Sequence, residues 1–77
     1  MTAPDARVDV VVNGRPMAVD PGATIAAVVV RLGHDPRGRG VAVAVDGDVV
    51  PRGEWDRRPV HAGARIEVLR AVGGGAR

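Results

Sequence analysis

The 77-residue sequence has no cysteine, lysine, serine, phenylalanine or tyrosine, and Trp55 is its one aromatic residue. Each gap removes a class of chemistry. Without cysteine there is no disulfide framework, thiol nucleophile or thiolate metal site. Without lysine there is neither a Schiff base nor a phosphate loop of the lysine-bearing kind. Without serine a Ser–His–Asp triad cannot be assembled. With so few aromatics, the core has to come from Val, Ala, Ile and Leu. No apolar run approaches the ~20 residues of a membrane helix. Residues 1–5 also lack a basic stretch leading into an apolar one. The expectation is a soluble, cytoplasmic protein with no membrane partner. A chain this short makes one domain that hides only ~60% of its unfolded surface, which leaves little room for a buried active site.

All eleven basic residues are arginine, yet the net charge is only +2. The sequence pI near 11.0 arises because nothing except arginine titrates above neutrality. The arginines alternate with Asp and Glu and lack aromatic platforms for stacking bases, so nucleic acid is not an expected partner. His34 and His61 are far apart and no motif supplies the further ligands a metal needs, so neither a metal nor a cofactor is expected. Asp46 and Asp48 flank Gly47 in ordinary hairpin composition. Gly38 and Gly40 precede a strand, whereas a dinucleotide loop follows one and opens a helix.

Periodicity organises the rest. Val8, Val10 and Val12 alternate with Asp9 and Val11, and Asn13-Gly14 is a strong hairpin signal. Residues 15–20 return as a second strand, placed at an edge by Pro16, which has no ladder donor. Thr24 caps a helix whose stripe is Ile25, Val28, Val29 and Leu32, closed by Gly33. Val41, Val43 and Val45 mark a third strand, Asp46-Gly47 a second turn, and residues 48–50 a short strand. Residues 51–59 hold no long element, and Trp55 closes the end of the core. A last strand covers 65–71. One helix over a mixed sheet of four to five strands, with the last strand beside the first, is a β-grasp arrangement in the α+β class. The expected organisation is a flexible arm over 1–7, the domain over 8–72 and a glycine-rich tail over 73–77.

That tail is the remaining feature. Glycines make it slender enough to enter a narrow partner site that branched residues would block. A terminal glycine carboxylate is unhindered, but with a pKa of ~3.5 it is ionised and inert at neutral pH. ATP can convert it to an acyl-adenylate, from which a sulfur nucleophile displaces AMP. Everything in that chemistry except the carboxylate belongs to a partner, so the chain reads as a carrier and not an enzyme.

Residues 41–55, VAVAVDGDVVPRGEW, resemble the central signature of the ThiS sulfur carriers, with Asp46-Gly47-Asp48 standing where Asn-Gly-Glu is common. Val12-Asn13-Gly14 resembles their first hairpin, and Ala71-Val72-Gly73-Gly74-Gly75 their end. The resemblance implies a ubiquitin-like β-grasp fold and a thiocarboxylate on Gly75, with Gly73, Gly74 and Gly75 entering the partner's active site. It also implies activation by a ThiF-type adenylyltransferase and sulfur donation to a thiazole synthase for thiamine. Ala76 and Arg77 follow where family members usually stop, so a peptidase is expected to expose Gly75. Other acceptors stay open (molybdopterin, cysteine or a specialised metabolite), as does a ubiquitin-like interaction module without sulfur chemistry. Alternation turns Val11, Leu69 and Ala71 outward as an apolar partner patch. Arg52 and Arg70 are the expected carboxylate contacts.

Overall fold

A computed structural model describes residues 7–35, 37 and 39–70. The expected arm before Arg7 and the tail, with Ala71, Gly73, Gly74 and Gly75, lie outside the described residues. Five strands form, β1 (Val8–Val12), β2 (Arg15–Val19), β3 (Val41–Val45), β4 (Asp48–Val50) and β5 (Arg65–Arg70), with one α-helix, α1 (Ile25–Arg31). A 3-10 helix, η1 (Arg52–Arg57), occupies the stretch after Pro51.

Local chemistry explains the elements. Asn13 and Gly14 take φ of 52° and 82°, and Asp46 and Gly47 take 52° and 90°. Those left-handed pairs match the twist of a two-residue hairpin, so β1 returns as β2 and β3 as β4. The Thr24 side chain accepts from the Ala27 N–H at 3.3 Å at the start of α1. At its end the Leu32 N–H donates to Val28 O, and Gly33 leaves with φ 87°. β-branched Val28 and Val29 have weak intrinsic helix preference, and both are fully buried, so packing holds this helix in place.

The sheet order is β2-β1-β5-β3-β4. β5 is central, parallel to β1 and antiparallel to β3. Pro16 lies on β2, the edge strand, as its missing donor requires. One face of the sheet meets α1 and η1 through Val10, Val12, Ile25, Val28, Val29, Val43, Trp55 and Ile66, each at most 3% exposed. Burying each such side chain contributes roughly 1.5–3 kcal/mol, which offsets the absence of aromatic bulk. The Trp55 indole closes the core, and its N–H donates to Val50 O at 3.0 Å, so the one polar atom it buries is satisfied. The opposite face of the sheet has no helix over it among the described residues.

Candidate functional site

β5 carries the chain from the middle of the sheet toward the glycines, so the ends of this strand define the site. Its start is held on both sides. On the β1 side the Val11 N–H donates to Ala64 O and the Asn13 N–H to Ile66 O, both at 2.9 Å. On the β3 side the Asp46 N–H donates to Arg65 O at 2.7 Å, and Asp46 Oδ1 accepts the Arg65 N–H at 2.9 Å. The other oxygen, Oδ2, lies 2.9 Å from His61 Nε2, while His61 Nδ1 lies 3.0 Å from Ala62 O. Both ring nitrogens face oxygen acceptors, which suits the doubly protonated imidazolium. The Asp46 hydrogen bond, then the Ala62 carbonyl, raise the His61 pKa above its ordinary 6.5. The Arg65 N–H, then His61, hold the Asp46 carboxyl below 3.8.

At the finish of β5 the supports differ. Val41 of β3 pairs with Arg70. β1 has already turned away, and the Asn13 side chain takes its place. Asn13 Oδ1 accepts the Val68 N–H at 2.9 Å, and Asn13 Nδ2 donates to Val68 O at 3.3 Å. Sequence reasoning assigns Asn13 only to the turn. Its amide, which both donates and accepts, is the signal for the second role.

The open face beside this finish carries apolar side chains next to the exposed Glu67, which pairs with Ala44. Leu69 pairs with Ala42, and Ala44 pairs with Val49, which places four small or apolar side chains on one surface. Leu69 is 69% exposed and Val49 75%. A shallow depression of about 520 Å³ is lined by Gly40, Val41, Ala42, Leu69 and Arg70. Leu69 and Arg70 are therefore brought together. Val11 shares the face but is half-buried, and it pairs with Arg65, four residues before Leu69 on β5. At about 3.3 Å per residue that is roughly 13 Å along the strand. Leu69 instead neighbours Ala42, with Ala44 and Val49 further along the face; alternation in the sequence reveals their facing but not this grouping. Arg52 stands apart from the depression. Its Nε donates to Arg37 O at 2.8 Å, and its guanidinium carbon lies 5.1 Å from the Trp55 ring centroid, over the core's end.

No group of three or more His, Cys, Asp or Glu able to hold a metal occurs among the described residues. No helix among them is long and apolar enough to cross a membrane. The arrangement offers a secured strand end, an apolar face and a glycine-rich continuation.

Comparisons with known proteins agree on one family. The model described as the ThiS family matches residues 10–75. A crystal structure of a thiamine biosynthesis protein (ThiS) from Geobacter metallireducens is 28% identical with a TM-score of 0.69, over 88% of this chain and 100% of that one. An NMR solution structure of a thiamine biosynthesis protein from the same organism is also 28% identical, with a TM-score of 0.69 over 91% of each chain. No curated protein sequence matches this chain.

Proposed function

This chain belongs to the ThiS family, and on that premise we propose that it is a sulfur carrier in thiamine biosynthesis and not an enzyme in its own right. The observation that carries the reading is the reach of the family match: it runs to residue 75, past the end of β5 and through the three glycines. In this reading a peptidase removes Ala76 and Arg77, and Gly75 becomes the working terminus. A ThiF-type adenylyltransferase binds the carrier in the cytoplasm, where ATP is available. The Gly75 carboxylate attacks the α-phosphorus of ATP and pyrophosphate leaves. Hydrosulfide then attacks the Gly75 acyl carbon and AMP leaves; the S–H proton is lost to solvent, giving the thiocarboxylate that a ThiG-type thiazole synthase consumes.

The same reading gives the open face a purpose. Leu69, Ala42, Ala44 and Val49 form the docking surface for the adenylyltransferase, with Arg70 beside them for a partner carboxylate. Gly73, Gly74 and Gly75 enter the active site. Val11, Ala71 and Arg52 stand as outer contacts.

Co-expression of the form ending at Gly75 with a ThiF-type adenylyltransferase and a sulfur source, followed by intact-mass analysis, tests this. The expected species ends at Gly75 with one oxygen replaced by sulfur. A chain that stays unmodified beside an active adenylyltransferase would remove the carrier reading and leave a ubiquitin-like interaction module. In the same system Leu69→Glu is expected to weaken adenylyltransferase binding about tenfold, close to 1.4 kcal/mol, with the thermal midpoint unchanged.

A further inference from the structure

We propose that Asn13 is a positioning residue for the transfer reaction: its carboxamide secures β5 at Val68 and so holds steady the strand that leads in sequence to the reacting glycine. The inference rests on the carrier reading above, while the contact behind it does not.

β1 pairs with β5 only as far as Val12, opposite Ile66. The last backbone bond on that side is the Asn13 N–H to Ile66 O. The next backbone groups of β5 that face this side belong to Val68, two residues on, because facing alternates along a strand. Both are taken by one side chain: the Val68 N–H reaches Oδ1 at 2.9 Å and Val68 O receives Nδ2 at 3.3 Å. The amide presents a donor and an acceptor, as a strand residue would, and lengthens the ladder without a longer strand. On the opposite edge β3 holds the chain as far as Arg70 through Val41. β5 is thereby fixed along both edges almost to its end.

That matters for a carrier because the reacting group is distant from its support. Gly75 lies five residues beyond Arg70 in the sequence, a reach of at most about 18 Å. Reactions of this kind lose up to about 10²-fold for a 1 Å misplacement. The turn alone does not explain asparagine, since Gly and Asp also tolerate the left-handed φ of 52°. Of the three, only asparagine supplies both a donor and an acceptor to Val68.

Those alternatives supply the test. Asn13→Gly keeps the turn and deletes the contact, and Asn13→Asp keeps the acceptor alone. Amide hydrogen exchange on the full chain reads the contact directly: the Val68 N–H is expected to exchange about tenfold faster or more in Asn13→Gly. Carrier-dependent ATP–pyrophosphate exchange, with the form ending at Gly75, reads the reaction. For Asn13→Gly, kcat is expected to fall about 3–10-fold with KM within about twofold, and Asn13→Asp falls in between. Val19→Ala, destabilised in the core, serves as the control and keeps its kcat. Unchanged Val68 exchange, an unchanged kcat in Asn13→Gly, or an equal loss in Val19→Ala each overturns the proposal. Wild-type protein that supports no exchange at all fails the carrier reading itself; active wild type with an equally active Asn13→Gly fails only the role of Asn13.

Discussion

The Asn13–Gly14 turn and the Asp46–Gly47 turn have nearly one backbone between them, with φ of 52° and 82° in the first and 52° and 90° in the second. Both lean against β5, but at different points and on different edges. Asp46 meets the strand where it begins, taking the Arg65 N–H on one carboxylate oxygen and His61 on the other. Asn13 meets it further along, its backbone N–H on Ile66 O and its side chain on both backbone groups of Val68. A carboxylate only accepts, so it fits a site with a donor on each side. A carboxamide does both, so it fits a stretch of strand edge. The residue that satisfies the turn thus also selects which part of the neighbouring strand is held, and by what kind of bond.

Exchanging the two chemistries breaks the comparison most directly. Asn13→Asp leaves the turn intact but sets a carboxylate oxygen against Val68 O, and a loss of about 1–2 kcal/mol is expected from urea midpoints. Asp46→Asn keeps an acceptor for the Arg65 N–H and turns an amide toward a histidine that can become neutral, so its loss is expected to be the smaller of the two. Equal losses would show that the ends of β5 do not distinguish the two side chains.

The smallest effect is the pH dependence, which belongs to one turn and not the other. His61 has a folded pKa above 6.5, so its contribution is complete below that value and disappears as pH rises through the folded value. Asp46 has a folded pKa below 3.8, so its contribution is complete above that value and disappears as pH falls through the folded value. The pair therefore supports the fold best between about pH 4 and 6.5. Urea midpoints measured across pH 3–9 are expected to decline above that window in the wild type and to lose this decline in His61→Ala. The Asn13 contact contains no titrating group and is expected to be indifferent over the same range.

Much of the architecture is legible in the sequence because its causes are local. Asn13-Gly14 and Asp46-Gly47 declare their turns, Pro16 its edge strand, and Ile25, Val28 and Val29 the buried side of α1, with Leu32 half-buried at its C-cap. The isolated Trp55 reads correctly as the closure of the core, where it is 1% exposed. The site is less legible, since alternation fixes the face of a residue and leaves its register open. Val11 and Leu69 both read as outward, yet the pairings Val11↔Arg65 and Ala42↔Leu69 separate them along β5. Val49 becomes visible as part of the surface only through its pairing with Ala44. The bond from Asn13 to Val68 joins residues 55 positions apart, and no periodic pattern within either segment announces it.

The solitary indole has a practical consequence for anyone handling this protein. With no tyrosine or phenylalanine alongside it, Trp55 supplies all of the near-ultraviolet side-chain absorbance and emission. Because the ring is enclosed and its N–H is engaged by Val50 O, a red shift in fluorescence would report exposure of the interior. Global unfolding can therefore be followed in the cuvette from this one residue, with no added probe.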